Sequence, residues 1–502
     1  MAVSWSWAIE MYLSAVWTDI TRDVVKVDSI KVTNGIMGNS VTDCVGDIGT
    51  LSFTLDNSQA NSAGLLGYYA PGHANCRAGF GKNTLVRIKF VYGATTKYYK
   101  HGRIQVIDPV VGQFGERTTH VQATDFMEIL SENKTTRVPI QENKRFDELI
   151  STLISNSPTA PLSSSYAVDP SSSELAFHLE KDESNTLMNV AQKICQSTMG
   201  KLYLRGNATN GETLVYENRY ARALSTLVGT LNNSMSAMKA QWNSGETYGA
   251  VKATVMPFTV DPTQVVLASL ESEISVRPGE TVSVELRLRD PGGNSRISGF
   301  DFVDPLVADT DYRVSSVSGN EANDMNAAVT ITIDAGSNSV QASITNSTGV
   351  VTAYVNLLQV RGRGVYPYDV IDFNFGTGSR VLTYSMPYMS NTSTGRAIGE
   401  AVYNRVTREM ASIDGVSFYP DANATLMGYF MNLDVGSRVA LIETATGVSA
   451  EYFINGYEIE IENGALLKMT WVLVSAEADG ELFILDDVVK GVLDNTTYLL
   501  AI

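Results

Sequence analysis

Residues 47–57 read Asp-Ile-Gly-Thr-Leu-Ser-Phe-Thr-Leu-Asp-Asn. Leu51, Phe53 and Leu55 alternate with Thr50, Ser52 and Thr54, the two-residue period of a strand with one packed and one polar face. Asp56-Asn57 ends the run with side chains that favour turns. The same period extends outward. Trp5, Trp7, Ile9 and Met11 share one face against Ser4, Ser6, Ala8 and Glu10, and Val86, Ile88 and Phe90 alternate with Arg87 and Lys89. Residues 104–107 and 120–123 are further strand-like runs. Segment 1–135 is therefore expected to be an antiparallel, tube-like β domain.

The pattern changes in 136–243, which reads as an α+β unit. Phe146, Leu149, Ile150, Leu153 and Ile154 form a helical stripe, and so do Leu187, Val190, Ala191 and Ile194, with Gly200 suited to the stop. Strands at 201–205 and 213–217 follow, joined by a Gly/Asn turn. Segment 244–390 is all β again, with runs such as Val282, Val284, Leu286 and later Val329, Ile331, Ile333, either a sandwich or a tube-type domain. A helix is expected over 391–412, with Ile398, Val402 and Val406 aligned. A β-barrel and tail over 413–502 follow, where Asn463-Gly464 signals a hairpin. The fold class is thus α+β, predominantly antiparallel β, in several barrel or sandwich units around one small α+β unit. A chain of 502 residues is long enough for several cores.

With 37 Lys and Arg against 54 Asp and Glu, the formal net charge is −17. Such a surface repels phosphates and argues against a sequence-reading DNA binder; simple solubility is the plain explanation. Cys44, Cys76 and Cys195 are odd in number and widely spaced, as buried structural thiols rather than a disulfide framework or a thiolate site. The N-terminus carries neither a basic region nor an apolar run, so no signal peptide is expected.

Chemistry-bearing constellations are not found. His73, His101, His120 and His178 lack metal-ligand spacing, and no Gly-x-Ser-x-Gly elbow occurs. Gly79-Phe-Gly-Lys-Asn-Thr84 fails as a phosphate loop and reads as a glycine loop before a strand. Gly362-Arg-Gly364 is only a fragment of a dinucleotide fingerprint. Asp301, Asp304, Asp309 and Asp311 have the chemistry for a hard cation but the spacing of a solvated loop. Glu458, Glu460 and Glu462 share one strand face, turned to water or to a channel. Asn133 and Asn391 lie in Asn/Thr-rich turns, and Trp5, Trp7 and Trp471 occupy strand positions suited to core packing. No catalytic, cofactor-binding or metal residues are assigned, and no cofactor is expected.

Several segments taken in order carry a family resemblance: Trp17-Thr-Asp-Ile-Thr-Arg-Asp-Val24, the 49–57 strand, the helix–Gly–strand–turn–strand unit ending Tyr216-Glu-Asn-Arg219, the 357–364 run, the closing hairpin, and Phe483-Ile-Leu-Asp-Asp-Val-Val-Lys-Gly-Val-Leu-Asp494. The chain resembles minor tail proteins of long-tailed (siphophage-type) bacteriophages, of the tail-tip or baseplate hub class. The resemblance implies a non-enzymatic ring, usually a trimer, at the distal end of the virion tail. Its implied partners are the distal tail protein, the tape-measure protein and tail fibre or tip proteins, with genomic DNA only in transit and no stable membrane association. An acidic wall would suit such a conduit, since it does not hold phosphates. The chain ends just after the family-like terminus, which favours a purely structural hub over one with an appended hydrolase. The alternatives are a receptor- or carbohydrate-binding tail adhesin and a distal tail ring protein.

Overall fold

The computed structural model describes residues 3–110, 117–135, 138, 140–176, 185–241, 248–292, 295–407, 412–476, 481–482 and 498–499. His178 and the 483–494 motif lie outside the described residues. The fold is α+β and predominantly antiparallel β, as the two-residue period requires.

Its largest element is a thirteen-stranded sheet fed from both ends of the chain. The strands run in the order Ala237–Gln241, Ser412–Phe418, Leu466–Ser475, Val448–Glu462, Ile30–Gly35, Thr50–Asp56, Thr118–Thr124, Thr95–Val110, Leu85–Tyr92, Ser6–Leu13 and Val16–Asp19. Arg438–Glu443 pairs with the first half of Val448–Glu462, and Leu227–Asn232 lies parallel beyond it. The central joint is the antiparallel pairing of Ile30 with Ile461 through Gly35 with Gly456. The Asn463-Gly464 turn forms as the dipeptide dictates, both residues taking positive φ.

The apolar faces of these strands meet in one core. Ile9, Phe53, Ile88, Val121, Ile459, Met469 and Trp471 are all at most 1% exposed. The helix Ala424–Asn432 lays Phe430 between Phe90 and Tyr99, with ring centroids 4.9 and 4.7 Å away. Trp471 meets the edge of Phe418 at 4.7 Å. The sheet curls far enough that Trp7 Nε1 donates to Gly464 O, 3.1 Å away on the opposite hairpin. Trp471 is thus core, while Trp5 and Trp7 are half-buried and line a shallow cavity of about 340 Å³.

Among the described residues six α-helices accompany the sheets: α1 (Phe126–Glu132), α2 (Phe146–Ser155), α3 (Leu187–Thr198), α4 (Arg219–Ala223), α5 (Thr392–Val406) and α6 (Ala424–Asn432). Both expected helical stripes are present, Phe146 to Ile154 on α2 and Leu187 to Ile194 on α3, and their apolar side chains are buried in a second core. One detail differs. Helix α3 stops on Met199 in the left-handed region (φ 56°), not on Gly200. Gly200 is needed for space: a Cβ there would lie 2.8 Å from the Tyr216 ring. Strands Lys201–Arg205 and Thr213–Glu217 form as expected, with Ser164–Tyr166 parallel to the latter.

Helix α5, expected over 391–412, runs from Thr392 to Val406, capped by Asn391, and packs on the Ala250–Val255 strand, while Ser412 already opens the next strand. A Cβ on Gly399 would come 2.5 Å from Ala253 Cβ, so glycine permits that close approach. Residues 258–367 form a two-layer β unit around its own core of Val276, Leu288, Val340, Ala342, Val355 and Val360. The long Ala353–Pro367 strand organises one layer; Thr281–Arg287, Ser339–Asn346 and Val329–Ala335 form the other.

Candidate functional site

The face of the large sheet opposite the core is a ladder of small polar side chains. Across neighbouring strands, Thr124 sits beside Thr50, Thr50 beside Thr33, Thr33 beside Glu458, Glu458 beside Thr470, and Thr470 beside Ser417. The hydroxyls of Thr33 and Thr50 are 2.9 Å apart, and those of Ser417 and Thr470 2.8 Å. The adjacent row is Gln122, Ser52, Lys31, Glu460 and Lys468. Lys31 Nζ lies 3.1 Å from Glu460, and that carboxylate holds the ammonium above the usual lysine range. Glu458, Glu460 and Glu462 are therefore on the polar face, half-buried, and interleaved with hydroxyls and two lysines. Such a face offers hydrogen bonds in every direction but no run of cations on which a polyanion would settle.

Beneath one end of this sheet lies an ionic seam that joins it to the α+β unit. The ammonium of Lys100 touches Asp125 and donates to Asn34 Oδ1 at 3.0 Å. Asn34 Nδ2 donates to Leu204 O (2.9 Å) and to the Tyr457 hydroxyl (3.1 Å). Asp125 also accepts from Gly49 N–H (3.1 Å) and, as N-cap of α1, from Met127 N–H (3.0 Å). Burial pushes the Asp125 carboxyl above the usual range, against the pull of Lys100. Lys97 pairs with Asp434 at 3.0 Å and donates to Leu433 O at 2.8 Å, while burial pulls its ammonium below the lysine range. Glu217 is shared by Arg205 (3.1 Å) and Arg222 (2.8 Å). Arg222 reaches Asn455 Oδ1 at 3.2 Å, and Asn455 Nδ2 donates to Gly38 O at 2.8 Å. His101 Nδ1 is 3.3 Å from Glu212. Paired and hydrogen-bonded in this way, the charges specify one docking geometry, because each is costly to bury without its partner.

The remaining sequence candidates fall into structural roles. Thr84 closes the Gly79–Thr84 loop on itself by donating to Gly79 O (2.9 Å) and accepting from Gly81 N–H (3.1 Å). Gly362 and Gly364 sit inside the Ala353–Pro367 strand, opposite Val265 and Gly299. Asp311 is fully buried and gripped by Arg361 at 2.6 and 3.0 Å, while Asp301, Asp304 and Asp309 are exposed. Asn133 and Asn391 bond to the ends of α1 and α5. Cys44 and Cys195 are buried and Cys76 half-buried. Of the histidines, His101 is buried in the seam, while His73 and His120 are exposed. Among the described residues, no group of three or more His, Cys, Asp or Glu side chains comes together to hold a metal ion. No helix among them is long and apolar enough to cross a membrane. The hydroxyl ladder and the seam were not identified from sequence; the alternation of Thr and Ser in 50–54 and the lysines of 97–100 were the signals present.

No protein-family model and no curated protein matches the chain. Among solved structures, it is similar to the tail protein from Neisseria meningitidis MC58, with 9% identity and a TM-score of 0.48, covering 93% of this chain and 96% of that one. It is similar to the 43 kDa tail protein of prophage MuSo2 from Shewanella oneidensis, with 9% identity and a TM-score of 0.48, over 94% and 99% of the two chains. It is also similar to prophage tail protein gp18 from Listeria monocytogenes EGD-e, with 8% identity and a TM-score of 0.38, over 93% and 94%.

Proposed function

We propose that this chain is a structural, non-enzymatic hub of a bacteriophage tail tip. In this reading several copies, three in the simplest case, form a ring at the distal end of the tail. The ring joins the tail tube and distal tail protein to the tip or fibres, surrounds the end of the tape-measure protein, and lets the genome pass. The observation that carries the proposal is the polar face of the large sheet. It is assembled from strands at both ends of the chain, and it is rich in hydroxyls with Glu458, Glu460 and Glu462 among them. A wall of this composition is wettable and does not retain phosphates, the property a conduit for DNA needs. The ordered segments that resemble hub proteins point to the same role.

The two-layer unit of residues 258–367, with its own core, stands in this reading as a peripheral module available to tip or fibre proteins. An adhesin would need exposed aromatic faces. Here Trp5 stacks on Phe90 and the Trp7 N–H is engaged by Gly464, which weighs against that alternative. The mass and symmetry of the purified assembly, by native mass spectrometry and electron microscopy, test the proposal. A threefold ring with the hydroxyl ladder facing its lumen is expected. A sixfold ring would make this a distal tail ring protein instead, and a stable monomer at micromolar concentration would overturn both.

A further inference from the structure

Lys100, Asn34 and Asp125 meet at the joint where strands from the two ends of the chain pair, and they are only 2%, 3% and 4% exposed. The Lys100 nitrogen touches the Asp125 carboxylate and lies 3.0 Å from the side-chain oxygen of Asn34. The carbonyl carbon of that amide, Cγ, is one bond beyond the oxygen. The amide nitrogen is held on two acceptors, Leu204 O at 2.9 Å and the Tyr457 hydroxyl at 3.1 Å. The carboxamide is thus anchored at its nitrogen and faces an amine at its oxygen.

These are the three groups that amide exchange requires: an amine nucleophile, an amide carbonyl, and a carboxyl group to carry protons between them. Burial favours passing the proton from ammonium to carboxylate, because neutral groups cost less to desolvate than charged ones. It already raises the Asp125 carboxyl above the usual range, against the pull of Lys100. Packing then holds a neutral amine against the amide, and fixed proximity of this kind replaces most of the help a catalyst would give.

We propose that Lys100 and Asn34 join in an intramolecular isopeptide bond, formed by the folded chain itself with Asp125 as proton carrier. Asp125 takes one proton from Lys100 Nζ. A rotation about the soft Cβ–Cγ bond of Asn34 presents Cγ to the freed lone pair. The lone pair attacks, and the carbonyl π pair moves onto Oδ1. When that pair re-forms the carbonyl, the bond from Cγ to Nδ2 breaks. Asp125 gives its proton to Nδ2, which leaves as ammonia, and takes a second proton from Nζ. The products are one secondary amide, one ammonia and a protonated Asp125, so atoms and charge balance without oxidant, metal or co-reactant. The bond links positions 66 apart and ties the Ile30–Gly35 strand to the Thr95–Val110 strand, which restricts the unfolded chain as a disulfide would.

The test is intact-mass spectrometry of the full-length protein, purified folded and then denatured. A mass one ammonia below that of the sequence is expected. Tryptic mapping should recover a branched peptide joining the segments around Asn34 and Lys100. Asp125→Asn and Lys100→Arg are each expected to restore the full sequence mass. Should either fail to fold, the map of the parent chain decides alone. Asn34 precedes Gly35, and closure onto that backbone nitrogen would release ammonia too. Ammonia loss with the two peptides still separate would therefore overturn the proposal. So would an unchanged parent mass, or a folded Asp125→Asn variant that cross-links like the parent. None of these outcomes depends on whether the chain forms a tail-tip ring.

Discussion

Lys100 and Asp125 form an ion pair whose side chains are only 3% and 1% exposed, and Gly49 is the residue that makes room for it. A Cβ at Gly49 would fall 1.8 Å from the Lys100 ammonium nitrogen and 2.5 Å from Asp125 Oδ2. The glycine that precedes the 50–56 strand is therefore fixed by a charge pair behind it. Lys100→Met would leave Asp125 buried without its cation. Equilibrium urea unfolding is expected to show a loss of roughly 3–5 kcal/mol, and the double variant Lys100→Met/Asp125→Asn should recover part of it. A single variant as stable as the parent would show that the pair does not secure the seam.

Glu217 gives the seam a pH signature. Its folded-state carboxyl titrates below the ordinary value of 4.5 because Arg222 and Arg205 outweigh the effect of burial. A depressed carboxyl contributes stability that is fully present above the unfolded value and is lost as pH falls through the lower folded value. Glu217→Gln should therefore cost roughly 3 kcal/mol at pH 7, where it strands two guanidiniums. The gap between parent and variant should stay constant down to about pH 5 and close below the 4.5 of an unperturbed glutamate. Denaturant midpoints across pH 3–7 measure it; a gap that does not change with pH would contradict the assignment.

The first hairpin offers a stabilising change. Its two loop residues, Ser14 and Ala15, both take positive φ (49° and 68°), while Leu13 pairs with Val16 across the turn. That is the geometry Asn-Gly adopts readily and a Cβ-bearing Ala resists, at about 1 kcal/mol. Both positions are exposed. Ser14→Asn/Ala15→Gly is expected to raise stability by about 1–2 kcal/mol and the melting temperature with it, without changing the assembly state.

Local chemistry was legible in the sequence where it decides the outcome alone. The stripes of Phe146–Ile154 and Leu187–Ile194 became α2 and α3, and Asn463-Gly464 became a hairpin. Helix α6 is not legible in the sequence because Leu426, Met427, Phe430 and Met431 are embedded in a short apolar run in which the Asn423 cap is the clearest helix signal. Helix α1 spans just seven residues. The joint between Ile30–Gly35 and the 456–461 stretch is not written in any local pattern. Asn34 and Tyr457, which meet there, are 423 residues apart, and period-2 alternation is the same whichever strand lies alongside. The seam was hidden for a related reason. Lys97, Lys100 and His101 lie on one strand, but Asp434, Asp125 and Glu212, which pair with them, come from separate segments of the chain.

The polar ladder yields the test nearest to function. Glu458, Glu460 and Glu462 lie on it, alongside Thr33, Lys31 and Lys468. Replacing all three with Lys would convert a face that repels phosphates into a contiguous basic strip, because Lys31 and Lys468 would then be flanked by like charges. Half-buried strand positions away from the core tolerate such changes, so the folded chain should persist, with a modest cost from cross-strand repulsion. Duplex DNA should bind the triple variant at low salt, its affinity falling steeply with ionic strength, while the parent chain shows no binding under the same conditions. Fluorescence anisotropy of a labelled duplex measures both. Under the proposed tail-tip role, DNA release from particles carrying the variant should slow while tail assembly proceeds. Unchanged release from well-assembled particles that bind DNA in vitro would mean that this face does not line the path of the genome.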